Sequence, residues 1–167
     1  LVDQLICDLI KKERITMLIF ILNAIENVVL GLIVGGAIVM AAGVRPLLSD
    51  RLALSVETGM APLFEEISIN AWNRYNRLAF AAAVLLFFVD MIRLLSALSS
   101  AYWHLGLTLL MLAALIGKLV IDKQLKQRLS TYGAAAVNSK EQNAGHRQVE
   151  WLTKLILVIA LLLVILP

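Results

Sequence analysis

Between Arg14 and Arg45 the chain carries a single charge, Glu26. A helix over residues 15–44 would reach ~45 Å, half as long again as the ~30 Å hydrocarbon core of a bilayer. A soluble fold of this size has no core able to hide such a run. Composition points the same way. Of the 167 residues 60% are hydrophobic and 16% charged, with a mean hydropathy of +0.86, against about 45–50% apolar and about 25% charged in a typical soluble domain. The chain therefore reads as an integral, multi-pass membrane protein, with lipid as part of its solvent.

Four apolar stretches are long enough to cross, at about 24–44, 78–97, 102–121 and 151–167. The predicted fold is all-α: a four-helix transmembrane bundle with an N-terminal amphipathic helix and an interfacial helix before the second span. Residues 1–14 form the amphipathic segment and residues 15–167 the membrane domain. In the first of these Leu1, Val2, Leu5, Ile6, Leu9 and Ile10 share one stripe, the pattern of a helix lying at the interface or against partner protein. The alternative is a simple extension of the first span. The opening LVDQLICDLIKKER has no initiator Met and no basic-then-apolar leader pattern, and it reads as a trimmed or an incomplete end.

Residues 45–77 read as a mixed loop punctuated by Pro46 and Pro62, ending in the interfacial helix LFEEISINAWNRYNR with Trp72 and Tyr75 at headgroup level. SALSS, Ser96–Ser100, reads as a tight turn, and Tyr102-Trp103-His104 as an aromatic belt. Lys118 lies close enough to the end of the third span to snorkel. Beyond it KQLKQR continues the helix, while TYGAAAVNSKEQNAGHRQ reads as loose. The two long loops hold most of the basic residues, among them Arg45, Arg51, Arg74, Arg77, Lys123, Lys126 and Arg128, which puts those loops in the cytoplasm and both termini outside. The same clustering accounts for the net charge of +3 without nucleic acid as a partner.

The polar residues within the spans are the informative exceptions. Asn23, Glu26 and Asn27 share a helical face. Asp90 and Arg93 lie at i,i+3, a spacing that allows a local ion pair. Threading four spans brings Asn23, Glu26, Asn27, Asp90, Arg93 and His104 to one end of the bundle, where they form a candidate polar cluster. It reads either as an ion or proton site or as a device that fixes helix register. Asn23, Asn27, Gly31 and Gly35 continue one row, and Gly31 and Gly35 have GxxxG spacing; with Ala113 and Gly117 they are the candidate helix-packing residues. Val28, Leu32 and Val39 are expected to face lipid.

GLIVGGAIVMAAGVRPLL resembles the first helix and following Pro of a widespread, uncharacterised four-helix membrane family related to the copper-resistance protein D group. TGMAPLFEEISINAWNRYNRLAF, GKLVIDKQLKQRL and GHRQVEWLTKLILVIALLL are similar to its later segments. The likeness runs from about Gly31 onward. It implies four spans and no established activity.

Copper(I) favours Cys and Met, and copper(II) favours His and carboxylate. Met40, Met91 and Met111 lie in different spans at unrelated depths and read as apolar filler, and Cys7 is the only cysteine. No metal-ligating set is expected, although copper and a chlorophyll-like pigment on His104 or on a water at Glu26 stay open as cofactors. A haem held by two His is disfavoured, since His104 and His146 belong to opposite sides. GxSxG, P-loop and GxGxxG patterns are absent, so no enzyme is expected. Three functional readings follow: an accessory or structural subunit of a larger respiratory or photosynthetic membrane complex; a small transporter or metal-handling protein using the Glu26 cluster; or a pigment- or lipid-binding scaffold. Partners are membrane lipids and other integral membrane subunits, or further copies of the chain.

Overall fold

A computed structural model describes residues 2–55, 59–96, 102–137 and 139–165. Helix α1 spans Val2–Ile38, α2 Arg45–Ser55, α3 Ala61–Leu95, α4 Tyr102–Tyr132 and α5 Lys140–Ile165. Four helical stretches are long and apolar enough to cross a membrane: Lys12–Leu52, Ala61–Leu95, Tyr102–Ala135 and Lys140–Ile165. Inside lipid a backbone must satisfy its own hydrogen bonds, so long unbroken helices are the form these apolar runs take. The expected turn at Ser96–Ser100 lies, apart from Ser96, outside the described residues, as do the side chains of the N-terminal stripe other than Ile10. The backbone runs from that stripe into the first span as one helix.

Two segments expected as loops are helical. Pro46 cannot donate to the ladder and its ring crowds the carbonyl four residues back. The chain meets this with a π-helical stretch, Val39–Val44, and then continues as α2. Gly59, at φ +71°, makes the turn that follows. Pro62 then stands in the first turn of α3, where a missing N–H costs nothing. The interfacial stretch before the second span forms the first turns of α3 without a break. At the other loop, Gly133 at φ +53° ends α4 and a short 3-10 turn follows. Ser139 Oγ then accepts from the Gln142 backbone N–H at 3.2 Å, an N-cap that starts α5. Arg128 donates to the Glu141 carbonyl at 3.0 Å and ties the two helix ends together.

Helix α1 packs on α3 and α5, and α4 packs on the same two, so the bundle runs in the order α1, α3, α4, α5. The α3–α4 seam has three- and four-residue spacing: Glu65, Ile69, Asn76, Ala79, Ala83, Leu86 and Asp90 against His104, Thr108, Met111, Leu115, Lys118, Asp122 and Leu125. Its middle is apolar and joins Ile33, Ile156 and Ala160 in one core. A smaller core of Ile69, Leu125, Leu129, Ala136 and Val149 closes the end away from the termini. The outside is apolar too: Phe20, Val28, Val39, Phe88 and Ile165 are all exposed, as a lipid solvent allows.

Helix α1 meets α3 at Gly36. A Cβ there would lie 2.7 Å from Tyr75 Cε2, and that ring is pinned because Tyr75 Oη donates to the Ile33 carbonyl at 2.8 Å. The expected row at Gly31 and Gly35 is not this joint. Both are exposed, and a methyl group on either would meet no atom within 4 Å, because they lie on the opposite face of α1 from Ile33 and Ala37. Ala113 is exposed as well, and of the three glycines only Gly117 has another helix close by, with Leu152 3.5 Å from where a Cβ would stand. Gly36→Ala is expected to cost about 1–3 kcal/mol through overpacking. Gly31→Ala should stay within about 0.5 kcal/mol. Unfolding of the purified protein in detergent, followed by circular dichroism, measures both.

Candidate functional site

At the end that carries the termini, α1, α3 and α4 converge on a charged layer. Glu26 accepts from the Arg93 guanidinium through one oxygen and faces His104 Nε2 at 2.9 Å through the other. Arg93 also donates to Asn23 Oδ1 at 2.7 Å. His104 turns its second nitrogen, Nδ1, to Asp90 Oδ1 at 2.8 Å, and Thr108 Oγ1 donates to Asp90 Oδ2 at 2.7 Å. Nε2 lies at hydrogen-bond distance from Glu26, whereas Nδ1 stands at ion-pair distance from Asp90 without hydrogen-bond alignment; carboxylates only accept, so a ring set between two of them carries a proton on each nitrogen, as an imidazolium does. Two carboxylates, one guanidinium and one imidazolium then balance in charge.

Five of the six candidate cluster residues meet here: Asn23, Glu26, Asp90, Arg93 and His104. Asn27 does not. It is exposed on the outer face of α1 and makes no side-chain hydrogen bond among the described residues. The expected local pair of Asp90 with Arg93 is also replaced. Arg93 points to α1 and Asp90 to α4, so each links α3 to a different neighbour. Thr108 was not foreseen, although it lies one turn after His104 on the same face.

A second polar layer lies toward the other end. Lys118 does not snorkel to the surface; it is fully buried. Its ammonium stands 5.2 Å from the Trp72 ring centre and 5.5 Å from that of Tyr75, so two aromatic faces supply much of the attraction that water would. Both rings turn toward the bundle: Tyr75 is buried in the core and Trp72, half-buried, packs edge-on against it. One turn along α4, Asp122 accepts from Asn76 Nδ2 at 2.6 Å. Beyond it Glu65 faces His146 Nε2 at 2.6 Å and accepts from Gln142 Nε2 at 2.9 Å through the same oxygen. His104 and His146 therefore belong to different layers.

Thr108 and Lys118 are separated by ten residues of α4 (118 − 108 = 10), ~15 Å along the axis. Met111 and Leu115 fill that interval with Ala79, Ala83 and Leu86. The two layers thus bracket an apolar middle. Among the described residues no three His, Cys, Asp or Glu side chains are arranged to hold a metal ion. In the layer around Glu26 the reason is plain: both nitrogens of His104 already face carboxylates.

These features define an all-α, four-span integral membrane protein whose helices are joined by charged layers near the two ends of an apolar core. Comparison with known proteins finds no matching family model, no matching curated protein and no matching solved structure.

The layer around Glu26 is an all-or-none network. Arg93→Met leaves Glu26 and Asp90 with one cation between them and is expected to cost about 3–5 kcal/mol. Thr108→Val removes one hydrogen bond and should cost about 1 kcal/mol. Detergent-solubilised unfolding measures the two, and an Arg93→Met protein as stable as the parent would remove the network from its structural role.

Proposed function

We propose that this protein is a non-catalytic accessory or structural subunit that packs against a larger membrane assembly. One observation carries the reading. Every side chain from Lys12 to Ile21 is exposed, and from Ile15 onward that stretch is apolar except for Thr16, with Met17 65% and Phe20 74% exposed. On α3, Arg77 and Leu95 lie ~27 Å apart, about one hydrocarbon thickness. Counting back an equal length from Arg45 along α1 reaches about Asn27. The apolar turns Ile15–Ile21 then stand beyond the hydrocarbon, on the side of the termini, exposed among the described residues. A hydrophobic helix arm in that place fits a protein surface better than headgroups.

The outer face of α1 adds to this. Asn27, Gly31 and Gly35 form an exposed row in which small residues admit a neighbouring backbone and an amide can hydrogen-bond across. The transport and pigment readings draw less support. The groups around Glu26 are matched to one another, and an apolar interval separates them from the second layer.

A photoreactive residue at position 20 tests the reading in native membranes. Crosslinking to a second polypeptide is expected, and Phe20→Lys should reduce co-purification after mild extraction severalfold while leaving the unfolding of the isolated chain unchanged. Crosslinks to lipid alone, with an 18.4 kDa monomer as the sole extracted species, would refute it.

A further inference from the structure

At the end away from the termini a cavity of about 260 Å3 opens between the π-helical stretch, α3, α4 and α5. Its walls are largely apolar, with Ile69, Trp72, Leu125 and Leu157 among them, and its rim carries Arg45, Glu150 and Lys154. The rim has an uneven charge. Glu150 holds Arg45 Nη2 at 2.9 Å with one oxygen and Lys154 Nζ at 3.0 Å with the other. One carboxylate is thus shared by two cations, and a single positive charge is left over. Both cations stay half exposed or more, at 50% and 60% of their side-chain surface.

The depth of this rim matters. Arg45 ends the apolar run of the first span and Lys154 stands one turn into the fourth. Lys154 also lies 5.5 Å over the ring of exposed Trp151, an aromatic at the position of an interfacial belt. An apolar slot with a singly cationic mouth at headgroup depth has a specific complement. We infer that the cavity binds a monoanionic phospholipid, with the phosphodiester at Arg45 and Lys154, the glycerol region beside Trp72 and the upper part of one acyl chain along Leu157. Deeper in the wall the Asp122 carboxylate, held by Asn76, keeps the phosphate at the mouth by repulsion. A zwitterionic choline lipid would bring a second cation to a rim that already has one in excess. This inference needs the chain to span the membrane; it does not need the accessory role.

The test uses the full chain in lipid nanodiscs of phosphatidylcholine with or without phosphatidylglycerol, and counts the lipids retained on release by native mass spectrometry. Retention of one phosphatidylglycerol in preference to phosphatidylcholine is expected. Lys154→Gln should weaken that retention about fivefold; its side chain is largely exposed, so no core contact is lost. Ala41→Trp keeps the rim charges but fills the cavity from its wall, and it should abolish retention. Equal retention of the two lipids by the parent protein, or unchanged retention in both variants, overturns the inference. Displacement of the lipid by glycerol phosphate at equal concentration would also overturn it, by reducing the site to a simple anion contact.

Discussion

A polar side chain inside hydrocarbon has no water to fall back on, so each one must be met by another group of the protein. Most of this bundle follows from that constraint. Glu26 is tolerable because Arg93 and His104 face it, and His104 because Asp90 takes its second nitrogen. Each of these pairs joins two different helices. The layer therefore fixes the register of α1, α3 and α4 at once, and sliding any of them by one turn would strand at least one charge. Desolvation offsets much of the attraction in such pairs, so their contribution is to specificity more than to net stability.

The second layer meets the same constraint by other means. Lys118 has no carboxylate within ion-pair distance among the described residues, and aromatic faces stand in for one. Those rings are in turn held by packing. Tyr75 can come this close to α1 only because Gly36 has no side chain, and its hydroxyl is satisfied by the Ile33 carbonyl. One glycine thus allows a close helix approach, the approach places a ring, and the ring shelters a charge.

The four spans were legible because unbroken apolar runs bounded by Arg14, Arg45, Arg77 and Glu150 admit few other folds. The end cluster was legible for a topological reason: alternating spans carry the start of the first, the finish of the second and the opening of the third to one side. Residue direction was harder to read. Lys118 lies near a span end, where snorkelling and burial are both open to it. The repeat His104, Thr108, Met111, Leu115, Lys118, Asp122 decides for burial, and that seam is visible only when polar and apolar positions are counted together. The loop before α5 contained its own helix start, the S-x-x-Q pattern of Ser139 and Gln142, obscured by the small and polar residues around it. The helical course of residues 45–55 was obscured by Pro46, which ends most helices but here follows a π-helical stretch that absorbs it.

Small residues serve two purposes on the first helix, and their placement separates them. Gly36 and Ala37 face inward and bring α1 against its neighbours. Gly31 and Gly35, and Gly43 in the π-helical stretch, face outward into open space. An inward glycine is explained by the fold; an outward pair four residues apart, beside an exposed Asn27, is not, since Leu or Val would serve lipid contact as well and lose less backbone entropy. The same helix leaves the bundle as a bare apolar arm at Ile15–Ile21. The interior is closed by the paired charges around Glu26, by a Lys118 sheltered under two rings, and by close-packed side chains. Among the described residues, the small and apolar positions of α1 that packing within the chain does not use lie along its outer face and its N-terminal arm.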